Sequence, residues 1–77
     1  MPRYFFDLHN TDVAIDEEGR DCADLQAAKA WAITEARNVA AEDVAGGRLV
    51  TSHRIDIMDA ARKLVGSISF GEAIAVD

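Results

Sequence analysis

The chain has 77 residues, of which 49% are hydrophobic and 29% charged, a composition typical of a globular domain. Fourteen Asp and Glu against eight Lys and Arg give a net charge of −6, which argues against a nucleic-acid binder because the phosphate backbone would repel the protein. A chain of this length buries about 60% of its unfolded surface on folding, enough for one modest core. We therefore expect a single domain over residues 1–77.

Membrane and disulfide-rich classes are also disfavoured. Cys22 is the only cysteine, so neither an internal disulfide nor a cysteine-rich zinc module is expected. The apolar opening is broken at Asp7, well short of a secretory signal, and no apolar run approaches the ~20 residues that cross a bilayer. We therefore expect a cytoplasmic protein with no membrane partner.

The first segments predict a β-hairpin. Residues 3–9 predict a strand because side chains that favour a pleated surface alternate along them. Residues 10–12 have turn chemistry, residues 13–15 predict a short return strand, and residues 16–19 end it. Alternation places Tyr4, Phe6 and Leu8 on one face, with Arg3, Phe5, Asp7 and His9 on the other.

Residues 24–44 predict an amphipathic helix. Asp24 is a favourable N-cap, and residues 45–47 supply the glycines that end a helix. Because the apolar stripe consists mostly of alanine, we expect the helix axis to lie close to the surface that it covers. The stripe contains Leu25, Ala28, Ala32, Ala36, Val39 and Ala40, with Ile33 at its edge.

Two more strands follow the helix. They are predicted at residues 53–59 and 63–70 with a turn at 59–62, and residues 71–76 fit either a helical turn or a short edge strand. The order ββαββ predicts an α+β fold, a four-stranded antiparallel sheet with one helix packed on one face. The residues expected to meet the alanine stripe are Tyr4, Phe6, Leu8, Ile55, Ile57, Leu64, Ile68 and Phe70.

Four segments of the chain form a recognisable pattern. They are Pro2-Arg3-Tyr4-Phe5-Phe6, Leu8-His9, Asp16-Glu17-Glu18-Gly19, and Asp24-Leu25-Gln26-Ala27-Ala28 at the start of the helix. Together they resemble a family of short alphaproteobacterial proteins that is catalogued as a domain of unknown function. The resemblance implies a bacterial cytoplasmic protein and brings no catalytic residues.

The sequence departs from that family's pattern at two places. Ala61-Arg62 stands in the turn before the last strand, where family members tend to have Asp-Gly, so we expect a non-glycine residue at positive φ. Trp31 stands where they tend to be polar. The order of elements is also similar to that of HicB-type antitoxins, although no proline-rich strand precedes the helix here.

The chain offers few side chains for chemistry. Calcium-loop frames that start at Asp12 or Asp16 both fail, so the acidic stretch of residues 12–24 predicts a solvated turn that favours the helix N-terminus. His9, His53 and Cys22 lack the spacing of a zinc site, and the histidines meet only if their strands are neighbours. We therefore expect no catalytic residue, no metal site and no cofactor.

Two apolar features remain for binding. Trp31 lies well away from the alanine stripe, which fits either partial cover by a neighbouring loop or contact with a partner. Phe5, Met58 and Val65 form a second apolar set on the uncovered face of the sheet, where two copies are expected to pack. The sequence predicts a homodimeric protein–protein interaction module without catalysis. The alternative is an antitoxin-like or regulatory module whose acidic surface masks a basic partner protein.

Overall fold

The computed structural model describes residues 1–74 of the chain. A five-stranded antiparallel sheet carries one long helix on one face, which confirms the α+β class. The elements are β1 (Arg3–His9), β2 (Val13–Ala14), β3 (Arg20–Asp21), α1 (Leu25–Ala45), β4 (Arg54–Met58), β5 (Leu64–Ser69) and α2 (Phe70–Ala73).

The sheet has one strand more than the predicted four. Its main order is β2-β1-β4-β5, and β3 also pairs with β1. β2 lies opposite Leu8 and His9, whereas β3 lies opposite Arg3 and Tyr4, so both cover the same edge of β1. β3 was not predicted because alternation is not visible in a strand of two residues. With the short helix α2 at its end, the predicted order ββαββ therefore becomes βββαββα.

The helix α1 forms as predicted. The carboxylate of Asp24 accepts a hydrogen bond from the backbone N–H of Ala27 at 2.8 Å, which satisfies one of the free amides of the first turn. Ala28, Ala32, Ala36 and Ala40 are completely buried, and α1 packs mainly on β4, β5 and α2. No helix within residues 1–74 combines the length and the apolar character that a membrane crossing requires.

α2 takes up part of the ambiguous C-terminal segment. Ser69 caps it, and the side chain of Glu72 accepts a hydrogen bond from the Ser69 backbone N–H in return, which forms a capping box. The Arg37 Nε atom donates to the carbonyl oxygen of Ala73 at 2.6 Å and so ties α1 to α2. Residues 75 and 76 of the predicted segment lie outside the described residues.

One predicted core position is wrong. A register irregularity between Ile57 and Met58 pairs Ile57 with Gly66 but Met58 with Leu64, so alternation is broken at the start of β5. Leu64 is consequently 54% exposed, and Val65, which alternation placed on the opposite face, packs against the core. The other predicted core residues Tyr4, Phe6, Leu8, Ile55, Ile57, Ile68 and Phe70 are buried or partly buried against the alanines.

Replacing Ala32 with phenylalanine should overpack the contact between α1 and the sheet. Ala32 has no exposed surface, so we expect A32F to lower the free energy of unfolding by about 1–3 kcal/mol. Urea denaturation followed by circular dichroism measures this loss. The control A41F places the same ring at an exposed position of α1 and should change stability by less than about 0.5 kcal/mol. Equal losses in both variants would contradict close packing at Ala32.

Candidate interaction surfaces

The sheet face opposite α1, here called the open face, carries three rows of side chains across β1, β4 and β5. Its first row, the apolar row, joins Phe5 to its cross-strand partner Met58, and Met58 to Leu64. The two further rows are Asp7–Asp56–Ser67 and His9–Arg54–Ser69.

Two aspartates face each other in the middle row and are nearly inaccessible. Asp7 is 3% exposed and Asp56 9% exposed. Like charges opposite each other destabilise a strand pair unless each has its own partner. Arg62 Nη2 lies 2.6 Å from Asp7 Oδ2, and Arg54 Nε lies 2.9 Å from Asp56 Oδ1. Two arginines therefore neutralise the two carboxylates and also cover them.

The backbone of Arg62 adopts an unusual conformation to reach this position. Its φ of 63° lies in the left-handed region, which confirms the expectation of a non-glycine residue at positive φ in this turn. Its guanidinium also lies 5.3 Å from the centre of the Phe5 ring. The left-handed turn thus places one cation over both the apolar row and the buried Asp7.

His9 completes the polar cluster. Its Nε2 atom lies 3.2 Å from Asp56 Oδ2, and its Nδ1 atom lies 3.4 Å from Arg54 Nη2. The two ring nitrogens of His9 thus face different partners, Nε2 the Asp56 carboxylate and Nδ1 the Arg54 guanidinium. Asp56 also accepts from the Ser67 hydroxyl at 2.9 Å. The cations of this face are engaged by carboxylates of the same chain.

The side chains considered for metal binding are not brought together. His53 packs edge-on against the core residue Phe70, with ring centres 5.8 Å apart, whereas His9 lies on the open face, so the two histidines occupy opposite sides of the sheet although β1 and β4 are neighbours. Cys22 is buried in the core. Within residues 1–74 no three His, Cys, Asp or Glu side chains converge as a metal site.

Asp16 has a structural role that the sequence analysis missed. Its carboxylate accepts hydrogen bonds from the backbone N–H groups of Phe6, Glu18 and Gly19 at 3.0–3.1 Å. Its own backbone N–H donates to Asp7 Oδ1 at 3.0 Å. Asp16 therefore holds the loop between β2 and β3 against β1 and is not simply part of a solvated turn. The Asp-x-x-Gly spacing of residues 16–19 is the signal of such a turn.

The environment of Asp16 shifts its acidity. Partial burial by itself raises the pKa of this carboxyl, but the three backbone hydrogen bonds and the nearby Arg62 charge outweigh it and hold the pKa below its ordinary value of 3.8. The ionised form of Asp16 is therefore the form that stabilises the loop.

Two cavities lie side by side along α1, on the side that faces residues 6–20, and together they are here called the trough. Its first cavity, of about 390 Å³, is lined by Phe6, Leu8 and Ile55 from the sheet, by residues 14–16 and 18–20, and by Trp31, Glu35 and Val39 from α1. A second cavity, of about 300 Å³, lies at the C-terminal end of α1 and is lined by Asn10, Thr11, Glu42, Asp43, Gly46, Arg48, Val50 and His53.

Trp31 lies at the edge of this trough. Its ring is half-buried, and the guanidinium of Arg20 in β3 lies 3.8 Å from the ring centre. Of the four residues predicted for an interface, the structure pairs Phe5 with Met58 on the open face. It places Trp31 on the helix side of the sheet and packs Val65 against the core. The four residues therefore do not form one surface.

The fold and these surfaces define a small α+β domain with a charge-balanced open face and a trough on the opposite side. The chain belongs to the family described as "Domain of unknown function (DUF6894)", which matches residues 3–71. No curated protein and no solved structure shows a significant match to the chain. The resemblance to a family of unknown function is confirmed, whereas the alphaproteobacterial origin and the likeness to HicB-type antitoxins stay predictions.

Replacing Asp16 with asparagine should remove a stabilisation that depends on pH. Because the folded-state pKa is depressed, the contribution of Asp16 is fully present above about pH 4 and is lost as the pH falls through the folded value. At pH 7 we expect D16N to lower the free energy of unfolding by about 1–2 kcal/mol. In urea denaturation, the difference in the free energy of unfolding between D16N and the wild type should become smaller below about pH 4.

The exposed neighbour Glu17 provides the control for this experiment. E17Q should have the same free energy of unfolding as the wild type at every pH, because the Glu17 side chain makes no hydrogen bond within residues 1–74. A gap between D16N and wild type that stays constant down to about pH 2 would show that the charge of Asp16 is not involved.

Replacing Arg62 with glycine tests whether the ion pair holds the left-handed turn. R62G relieves about 1 kcal/mol of backbone strain but leaves the buried Asp7 carboxylate without its cation. Since 40% of the Arg62 side chain is exposed, the pair is partly screened, and we expect a net loss of about 1–2 kcal/mol. In an Asp7→Asn background the loss should largely vanish, which a double-mutant cycle measures. An R62G protein more stable than wild type would contradict this role.

Proposed function

We propose that this chain is a non-catalytic protein–protein interaction module that works as a homodimer in the bacterial cytoplasm. The observation that carries this proposal is the apolar row, in which Phe5, Met58 and Leu64 lie side by side across three strands, on the face opposite α1 that no helix of residues 1–74 covers. Burying adjacent apolar side chains between two copies is the main driving force available to such an interface.

The charge distribution supports contact through this face. Two copies with a net charge of −6 each repel one another, so they associate best where the local charge is balanced. On the open face the carboxylates of Asp7 and Asp56 are matched by the guanidinium groups of Arg62 and Arg54. Two such faces therefore meet without the repulsion that the rest of the acidic surface produces.

The same ion pairs support a binding role over a catalytic one. His9, Arg54 and Asp56 are the side chains most suited to acid–base chemistry, and they hydrogen-bond to one another. Both ring nitrogens of His9 face groups of the same chain, so neither is directed at a substrate, which a catalytic acid or base must reach directly or through one water molecule. We therefore assign these groups to the stability and neutrality of the face.

The oligomeric state of three proteins tests the proposal. We expect the wild type to sediment as a dimer at about 10–100 μM, the range of a modest interface. L64K should raise the dimer dissociation constant at least about tenfold because it places a charge in the apolar row. The control V44K changes a residue of similar exposure, 57% against 54%, at the far end of α1 and should stay dimeric.

Two outcomes would overturn the homodimer. The first is a wild-type protein that remains monomeric throughout that concentration range. The second is a dimer whose dissociation constant is changed equally by L64K and V44K, which would place the contact elsewhere. Thermal denaturation of all three proteins, expected to be similar because both positions are exposed, separates loss of association from loss of folding.

A further inference from the structure

We propose that the trough beside α1 binds an extended basic segment of a partner protein, with apolar side chains in the cavities and Lys or Arg side chains on the carboxylates along the rim. This site lies on the opposite side of the sheet from the apolar row and does not depend on the homodimer.

The floor of the trough exists because α1 does not cover β1. α1 packs mainly on β4, β5 and α2, so the inward side chains of β1 are only partly buried. Phe6 and Leu8 therefore line the first cavity, where Val39 and Trp31 of α1 face them. These walls provide an apolar surface for side chains of a second protein.

The opposite wall is held in place by β1 itself. Gly19 has a φ of 72°, and an added Cβ atom would come within 2.9 Å of the carbonyl oxygen of Tyr4, so this wall lies directly against the strand. The hydrogen bonds of Asp16 fix the same loop. Because both walls are formed in the free protein, an occupant does not have to order them on binding.

The charge along the trough selects the occupant. Glu18 and Glu35 line the first cavity, and Glu42 and Asp43 line the second. None of these four carboxylates has an ion pair within residues 1–74, whose salt bridges involve Asp7, Asp21 and Asp56. The cations Arg20 and Arg48 balance only two of them. A basic occupant is therefore attracted, and a second copy of this acidic chain is repelled.

The length of the trough favours a peptide segment over a small molecule. The two cavities follow one another along α1 from Trp31 to Gly46, while the facing chain runs from Phe6 to Thr11. Fifteen helical residues span about 22 Å, which corresponds to six or seven residues in an extended conformation. An extended segment of that length, with alternating apolar and basic side chains, is therefore long enough to reach both cavities.

Trp31 is the only tryptophan of the chain and lines both the first cavity and a depression beside Ala27 and Thr34, so its emission detects binding and the variants below locate it. The probe is a heptapeptide of alternating Lys and Leu with blocked ends, titrated into the protein while Trp31 emission is recorded. We expect a saturable shift of the emission to shorter wavelength as leucine side chains cover the indole. Heptapeptides that alternate Glu with Leu, or Lys with Gly, should bind at least about tenfold more weakly.

Two charge-reversal variants locate the binding. E35K changes a carboxylate inside the trough, whereas E17K changes an exposed one that lines neither cavity, and both alter the net charge equally. E35K should raise the dissociation constant at least about tenfold and E17K less than about twofold. The milder E35Q, which should weaken binding to an intermediate degree, keeps the comparison valid if E35K is poorly folded.

Three results would overturn the proposal. Absence of a Trp31 response to the Lys-Leu peptide excludes the site. Equal weakening of peptide binding by E35K and E17K would show that the peptide is attracted by the net negative charge of the protein and not by the trough. A decylammonium ion that binds as tightly as the peptide, with the same dependence on Glu35, would make the trough a small-ligand pocket instead. Repeating the titration on L64K tests the peptide site independently of the homodimer, because L64K should bind the peptide as tightly as the wild type even though it no longer dimerises.

Discussion

The close approach of α1 to the sheet is the constraint on which the rest of the structure depends. Four alanines at successive helical turns are completely buried, and no longer side chain at those positions would allow this separation. The contact places the helix on β4, β5 and α2, where Arg37 fastens it to the carbonyl oxygen of Ala73. The trough is the consequence, because a single close-packed helix on those elements leaves the inner side of β1 partly uncovered.

The two faces of the sheet are suited to different partners for electrostatic reasons. On the open face Asp7 and Asp56 are neutralised by Arg62 and Arg54, so the apolar row lies beside a balanced layer of charge. In the trough, carboxylates such as Glu35 form no ion pair within residues 1–74, and Arg20 and Arg48 offset only part of their charge. A chain with a net charge of −6 thus has one surface suited to another copy of itself and one suited to a basic segment.

Local sequence patterns predicted the helix and the longer strands, whose apolar residues recur periodically. They did not predict features that depend on contacts between residues far apart in the chain. The alanine stripe and the Asp24 cap were correct because both follow from helical geometry alone. The exposure of Leu64 was not predictable, because the irregularity opposite Met58 arises from how β4 and β5 pair. The role of Asp16 was partly encoded in Asp-x-x-Gly, but its partner Phe6 was not.

By itself the sequence determined the α+β class, the length and buried face of α1, and the position of Phe5 on the sheet face away from the helix. Periodicity and capping, which predict these features, act over a few neighbouring residues. Only the tertiary structure decided that Asp7 meets Arg62, that Trp31 lies under Arg20, and that two cavities lie side by side along α1. These contacts bring together residues far apart in the chain. Their geometry is set by strand order, by the left-handed turn and by the position of the helix, which no local pattern contains.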